Sequence, residues 1–564
     1  MRTHKIFTVL LLLLLASNLC FSGQSVTIGR KGMVVSADSL ATMAGIEILK
    51  QGGNAVDAAI ALGFALAVVY PNAGNIGGGG FMIIRDKEGK ISALDYREKA
   101  PLKASRDMYL EPHSRKVIKN ASTLGWLACG VPGTVHGMWN AHRRYGSLPW
   151  PQLLKRAINL AENGFKLSNK KATLFLRYKE NFLLFPATKN IFLKNGQEPY
   201  RAGDLFIQKD LAQSLIRISE RGKSGFYEGK TAVLIEKAFA KNGGLITQKD
   251  LSEYSSVWRE PIVFNYKGYT IFAMSPPSSG GIVMAEILNS LETIDISRFA
   301  VNSMPYISRW VEIERYAYRD RADLMGDTDF IKFPVSLLVS KKYARRLVAA
   351  IDFTVAGKSN ALKNFAQLQH ESEETTHFSI VDQWGNAVSN TYTLNGNFGS
   401  CVVPEGTGFL MNNEMDDFSI KPGYPNKFGL IGKEANAVEA GKRMLSSMTP
   451  TIITKEGQLF MVLGSPGGST IITTVAQVIS HVIDHKMSIN NAVETERFHH
   501  QWLPDLIYFE DDFSGENIEL LQKNGYHIKL RNKIGNIQAI LVDKQGRLTG
   551  WSDHRGDGLA EGLN

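Results

Sequence analysis

Cysteine is scarce in this chain: three residues in 564, at positions 20, 129 and 401. Cys20 falls in an apolar amino-terminal segment, where Ser17-Asn18-Leu19 is a poor context for lipidation. The two that remain cannot build a disulfide framework or a zinc site by themselves, although an oxidising compartment would permit a single Cys129–Cys401 bond. Neither is expected to be catalytic. Basic runs are also missing. The formal net charge of +10 is spread over pairs such as Lys170-Lys171, Lys341-Lys342 and Arg345-Arg346, with no block of five or more, which argues for a solvated surface and against nucleic acid as a partner. Beyond residues 6–16 no apolar run approaches the roughly 18 to 20 residues that a membrane span needs. Proline- or serine-rich linkers, low-complexity tracts and internal repeats are absent too, so one large, densely wound unit is expected.

Several catalytic signatures are lacking as well. No Gly-x-Ser-x-Gly elbow occurs, and Ser168-Asn169-Lys170-Lys171 satisfies a Ser-x-x-Lys pattern without the accompanying Ser-Asp-Asn or Lys-Thr-Gly. The glycines Gly77 to Gly80 are not followed by Gly-Lys-Ser/Thr, which excludes a phosphate loop and suggests close backbone approach. His499-His500 has no second cluster at ligand spacing, so no metal is expected, and no organic cofactor motif is seen.

What is present suits a soluble globular protein with ample core: 44% hydrophobic and 21% charged residues. Residues 1–23 read as an export signal, with Arg2, His4 and Lys5 ahead of the apolar core and Ser22-Gly23 at its end, so the mature protein is expected in the periplasm or medium. Next come a short strand at 34–37, a helix at 38–50 and a second helix capped by Asn54, both rich in small residues. Residues 149–350 read as mainly helical.

The chemistry gathers at Thr375. Residues 375–381 and 387–395 are rich in Thr, Val, Ile, Tyr and Phe and flank the turn Asp382-Gln383-Trp384-Gly385-Asn386, a hairpin pattern. Pairing symmetrical about Trp384 sets Val381 opposite Ala387 and Thr375 opposite Thr393, and a one-residue slip would send one hydroxyl to the other face. The strand begins abruptly after the polar stretch 357–374. A threonine there can act as a nucleophile if cleavage of the preceding bond frees its own α-amine, whose pKa of about 7.7 to 8.0 suits a general base. From these residues alone, an ordinary strand start is the commoner explanation.

The runs TTHFSIVDQWGNAVSNTYTLN, NNEMDDFS, LSSMTPT and GSPGGS, with GGNAVDAAIA, NIGGGGFM, DYREKAP and GVPGTVHG before them, resemble the γ-glutamyltransferase family of N-terminal-nucleophile hydrolases over almost the whole mature chain. The resemblance implies an α+β fold, a four-layer αββα sandwich. It implies a proenzyme that cuts itself between Glu374 and Thr375 into a large subunit, 24–374, and a small one, 375–564, and that needs no cofactor. Thr375 would be the nucleophile with Thr393 orienting it, and Gly467 and Gly468 would form an oxyanion loop. Arg97, Ser446 and Ser447 would take the α-carboxylate of a γ-glutamyl group, and Asp417, Asn395 and Glu414 its α-ammonium. Substrates would be glutathione and related γ-glutamyl compounds, with water, amino acids or peptides as acceptors. The alternatives are a glutaryl-type β-lactam side-chain amidase of the same fold and an uncleaved γ-glutamyl-binding envelope protein. His377 and His499-His500 are expected to be scaffold. Residues 421–432 resemble a lid, with Phe428 where many relatives have Tyr, Glu414 stands where several have Gln, and Asp553-His554-Arg555 replaces the more usual Asp-Pro-Arg.

Overall fold

The computed structural model describes residues 26–359 and 375–564; the expected export signal, Cys20 and Glu374 lie outside the described residues. Two seven-stranded sheets, antiparallel throughout, stack face to face. The first runs in the order Leu559–Leu563, Gly32–Ser36, Thr375–Asp382, Ala387–Thr393, Gly79–Arg85, Ile91–Tyr96 and Val257–Arg259. The second runs Thr27–Gly29, Leu548–Ser552, Gln538–Val542, Gln458–Gly464, Thr451–Lys455, Tyr269–Ala273 and Ile262–Tyr266. Helices cover both outer faces, which makes the expected four-layer αββα sandwich.

Period-two alternation divides the core between layers. Val34, Met82, Ile84, Phe378 and Ile380 pack outward against the helices Ser39–Lys50 and Ala55–Val69. Their neighbours Met33, Val35, Phe81, Ile83 and Val381 pack inward with the second sheet and with the helices Gly280–Ile294 and Ile471–Ile483 beyond it. Ala55–Val69 is buried at every position, as its apolar circumference beyond Asp57 requires, and starts from a capping box between Asn54 and Asp57. Asp38 caps the preceding helix through Leu40 and Ala41 N–H.

The expectation of a mainly helical 149–350 needs correcting at 257–273. Val257–Arg259 closes the edge of the first sheet, and Ile262–Tyr266 and Tyr269–Ala273 form one end of the second. These strands are three to five residues long. Ile262, Phe264 and Tyr266 are buried while Val263 and Asn265 are exposed, a half-buried alternation too brief to stand out among long helices.

The hairpin keeps the counted register, with Val381 opposite Ala387 and Thr375 opposite Thr393. One carboxylate holds its turn. Asp382 Oδ1 accepts from Trp384 N–H at 2.9 Å and Asn386 N–H at 3.0 Å; Oδ2 accepts from Asn386 Nδ2 at 2.6 Å and from Ala55 N–H, at the start of the buried helix, at 2.8 Å. Replacing Asp382 by Ala should lower stability by about 3 kcal/mol, since charged hydrogen bonds are lost and donors are left in a partly buried turn. Urea unfolding of the purified protein measures this, and an unmoved midpoint would show that the turn is held by other contacts.

Candidate active site

Thr375, His377, Ser379 and Val381 lie on the inward face of their strand, and Thr393, Thr391, Ser389 and Ala387 stand opposite them. This face is apolar at the turn and polar at the far end. Ser379 Oγ donates to Gln538 C=O at 2.9 Å and Ser389 Oγ to Leu463 C=O at 3.0 Å, tying the two sheets together. His377 joins Thr391 Oγ at 2.8 Å and Ser379 Oγ at 3.1 Å. Gly464 must lack a side chain because a Cβ there would sit 2.4 Å from the His377 ring. At the end of the series Thr375 Oγ donates to Thr393 Oγ across a long 3.4 Å, and Thr393 Oγ accepts from Asn395 N–H at 2.7 Å.

Thr375 opens into a narrow pocket lined also by Thr393, Arg97, Asn395, Glu414, Asp417, Ser446, Ser447 and Gly468, together with Phe428, Leu430, Met448 and Ile471. Nine of the ten residues expected from sequence therefore meet around one space. The tenth, Gly467, is adjacent in the chain to Gly468 and outside the lining. Both glycines have positive φ, 135° and 54°, and lead through a single 3-10 turn into Ile471–Ile483, so the loop presents backbone N–H groups at a helix start. Two wider clefts, of about 730 and 750 Å³, lie elsewhere, around Arg177 and Arg531 and around Arg315 and Trp502. The convergent hydroxyls and charges identify the narrow pocket as the candidate site.

Arg97 follows the strand Ile91–Tyr96, and Asp95 fixes its backbone by accepting Arg97 N–H at 2.9 Å. The guanidinium pairs with Glu414 through Nη1 and with Asp417 through Nη2 at 2.6 Å, and it donates to Met444 and Leu445 C=O just ahead of the two serines. Burial opposes its charge, but Glu414, Asp417 and Glu98 outweigh burial and hold its pKa above the ordinary value. Burial also pushes the Glu414 carboxyl well up, against the pull of Arg97. Sequence reasoning passed over Glu98, the next residue. Among the described residues neither of its carboxylate oxygens accepts a hydrogen bond from another residue, and burial, opposed by Arg97 at 3.7 Å, pushes its pKa up to about 7. Three carboxyl groups thus surround one guanidinium.

The loop 421–432 reaches this cluster. Asn426 Nδ2 donates to Asp417 at 3.0 Å, Lys427 N–H to Asp416 at 2.8 Å, and Gln501 Nε2 to Phe428 C=O at 3.1 Å. A Cβ on Gly468 would meet the Phe428 ring at 2.5 Å, so ring and glycine pack directly. An aromatic hydroxyl is therefore not what attaches this loop. Asp416 also accepts from Ser122 Oγ at 2.6 Å, which makes it a brace behind the pocket.

Cys129 and Cys401 are buried and not joined by a disulfide, and burial pushes the Cys129 thiol up to about 12, which removes it as a nucleophile. One group of metal-ligating type comes together among the described residues, Glu494, Asp553 and His554. Asp553 is already engaged by Arg497 at 2.8 Å, by Arg555 at 3.1 Å and by Ile537 N–H at 3.0 Å, so this cluster reads as an ion-pair network.

The sequence profile described as Gamma-glutamyltranspeptidase matches residues 41–563. The chain belongs to this family. Among its γ-glutamyltranspeptidase relatives is the glutathione hydrolase proenzyme of Escherichia coli K12, 46% identical over 93% of this chain and 90% of that protein. An acylase ACY 1 proenzyme from Pseudomonas sp. strain V22 is 37% identical over 94% of this chain and 93% of its own length. The crystal structure of cephalosporin acylase from Bacillus halodurans superposes with a TM-score of 0.83 at 26% identity, covering 96% of this chain and 98% of that one.

His377 bears on what a γ-glutamyltranspeptidase site uses as a base. Burial drives its pKa down to about 3, with His481 at about 4 and His499 at about 3 for the same reason, so each stays neutral in the fold. In the unfolded chain these imidazoles take protons near pH 6.5. Their folded pKa values lie below the unfolded ones, so stability is intact above about pH 6.5 and declines as pH falls from there towards about 4. His377→Asn should flatten this decline by about one proton. Urea midpoints across that range provide the measurement, and an unaltered slope would mean that His377 is protonated in the fold.

Proposed function

We propose that this protein is a glutathione hydrolase and γ-glutamyltransferase, exported through residues 1–23 and made as a proenzyme that cuts itself between Glu374 and Thr375. The observation that carries this reading is the meeting of a register-paired Thr375 and Thr393 with a buried cluster of both charges in one pocket. The proenzyme and glutathione hydrolase names of its relatives support it. Among the described residues no helix is long and apolar enough to cross a membrane, which is compatible with export.

In maturation, Thr375 Oγ attacks the Glu374 carbonyl carbon and the amide rearranges to an ester. Water then cleaves the ester, leaving a carboxylate on Glu374 and a free α-amine on Thr375. The resulting subunits, 24–374 and 375–564, stay together because Thr375–Asp382 pairs with Gly32–Ser36 inside the first sheet.

In turnover the amine takes the Thr375 hydroxyl proton as Oγ bonds to the γ-carbonyl carbon of the donor. Backbone N–H groups of Gly467 and Gly468 stabilise the oxyanion. As the C–N bond breaks, the same amine returns the proton to the leaving amine, which is cysteinylglycine when glutathione is the donor. Water or an acceptor amine then attacks the γ-glutamyl ester and regenerates the hydroxyl. Thr393, fixed by Asn395 N–H, orients the nucleophile.

The α-carboxylate of the donor binds Arg97, Ser446 and Ser447, and its α-ammonium binds Asp417, Glu414 and Asn395. A zwitterion suits a cluster in which Arg97 is already paired with Glu414 and Asp417, because it replaces one set of ion pairs by two. A glutaryl group brings the carboxylate without the ammonium and would leave buried carboxylates unmatched, which weighs against the acylase alternative.

A denaturing gel with amino-terminal sequencing tests maturation: two bands are expected, the smaller beginning Thr-Thr-His-Phe, and Thr375→Ala should stay uncut. A wild-type chain that remains single after prolonged incubation would favour the uncleaved binding protein. For specificity, Asp417→Asn should lower kcat/KM for L-γ-glutamyl-4-nitroanilide by about 100-fold, as expected for loss of a buried charged contact, and far less for glutaryl-4-nitroanilide. Equal losses would remove Asp417 from ammonium recognition.

A further inference from the structure

Arg321, near the end of the helix Met304–Leu324, is buried at 5% exposure, and among the described residues it forms no ion pair with a carboxylate. A guanidinium in that position is costly unless something else justifies its charge. Its partners are two hydroxyl oxygens. Nε donates to Ser279 Oγ at 3.0 Å and Nη2 to Ser447 Oγ at 3.3 Å. Ser279 Oγ in turn donates to Ser446 C=O at 2.7 Å, and Ser279 N–H reaches the same carbonyl at 2.8 Å. One side chain therefore braces both pocket serines from behind, the first through Ser279 and the second directly.

The direction of these hydrogen bonds matters. An arginine can only donate, so Ser447 Oγ must accept from Arg321, and its own O–H proton is left for another acceptor. Ser446 Oγ likewise accepts from Met448 N–H at 3.1 Å, which leaves its proton in the same state. Both serines line the pocket beside Arg97 and Thr375. Arg97 spends its charge on Glu414 and Asp417, whereas Arg321 does not. Burial presses the Arg321 pKa down and nearby Arg97 adds to this, with Tyr318 and Asp417 opposing. An anion beside Ser447 would compensate that charge.

We propose that Arg321 is a positioning residue for donors bearing an α-carboxylate: by donating to Ser447 it leaves that hydroxyl's proton for the pocket, through Ser279 it braces the Ser446 carbonyl, and it sets a positive charge behind both serines that no carboxylate among the described residues takes up. This deepens the γ-glutamyl reading and rests on it. Arg321 does not touch the donor; it acts through Ser447 and through Ser279 and Ser446.

The test compares two chromogenic donors, L-γ-glutamyl-4-nitroanilide and 4-aminobutyryl-4-nitroanilide, which keeps the amine and lacks the α-carboxylate. Arg321→Gln should raise KM for the first by about tenfold with kcat within about twofold, the size of one charge-assisted hydrogen bond, and should alter kcat/KM for the second by less than about twofold. In a Ser447→Ala background the same change should cost less than about threefold on the first donor, because the hydroxyl through which it acts is gone. Equal losses on both donors, or an undiminished loss in the Ser447→Ala background, would reduce Arg321 to a structural residue and overturn the inference while leaving the proposed function standing. Should Arg321→Gln fail to fold, Arg321→Lys carries the same comparison, since one ammonium cannot reproduce the two-armed contact. A wild-type protein that turns over neither donor would overturn the proposed function, and this inference with it.

Discussion

The pairing of Thr375 with Thr393 is the constraint on which the rest of the structure depends. Strand side chains alternate with a period of two, so a one-residue slip would turn one of the two hydroxyls towards the helices and leave the other alone between the sheets. Asp382 holds the register at one end of the hairpin and the apolar inward pair Val381 and Ala387 follows it. From there the inward face changes character. Ser379 and Ser389 bond to backbone of the second sheet, His377 links Ser379 to Thr391, and the series ends at Thr375 and Thr393. The polar interlayer thus fixes the separation of the two sheets at the end where the pocket opens. An apolar interlayer would bury more hydrocarbon there and specify that distance less sharply.

The pocket sets a second requirement that runs against stability. Glu98, Glu414 and Asp417 crowd Arg97, and burial raises the pKa of both glutamates against the pull of the guanidinium. Behind Ser447 stands Arg321, buried and, among the described residues, without a carboxylate partner. Excess negative charge on one side and uncompensated positive charge on the other suit a ligand that carries both. The surrounding fold bears this cost through its core: the helix Ala55–Val69 and the second-sheet helices are buried almost without interruption. Strain of this kind is tolerated where a large, well-packed scaffold over-determines the local arrangement.

Much of this was legible in the sequence because the informative signals are local. The hairpin register follows from counting outward from one turn, and the cap at Asn54 follows from residue type and position. The pocket residues were legible only through motif resemblance, since Arg97, Glu414, Ser446 and Gly468 are scattered over 372 positions of the chain and no spacing rule brings them together. Glu98 sat inside a quoted motif but was eclipsed by its neighbour; its importance lies in burial, which no single residue announces. Arg321 carried no signal at all, because its role depends on which helix packs behind the serine turn. The edge strands at 257–273 were missed for the opposite reason: each is too short for its alternation to outweigh the helices around it.

Phe428 shows how the loop over the pocket can be secured without an aromatic hydroxyl. Its ring rests on Gly468, its carbonyl accepts from Gln501, and its neighbours Asn426 and Lys427 reach Asp417 and Asp416. The loop is therefore attached to the same carboxylate that pairs with Arg97. Asn426 and Arg97 hold the two oxygens of Asp417, so the loop and the charged pocket meet on one side chain. A tyrosine hydroxyl would give the loop an anchor of its own. Here Asn426 and Lys427 bond to two adjacent aspartates and the Phe428 carbonyl to Gln501, and because one of those aspartates lines the pocket itself, the loop is held in part by a charge of the pocket it covers.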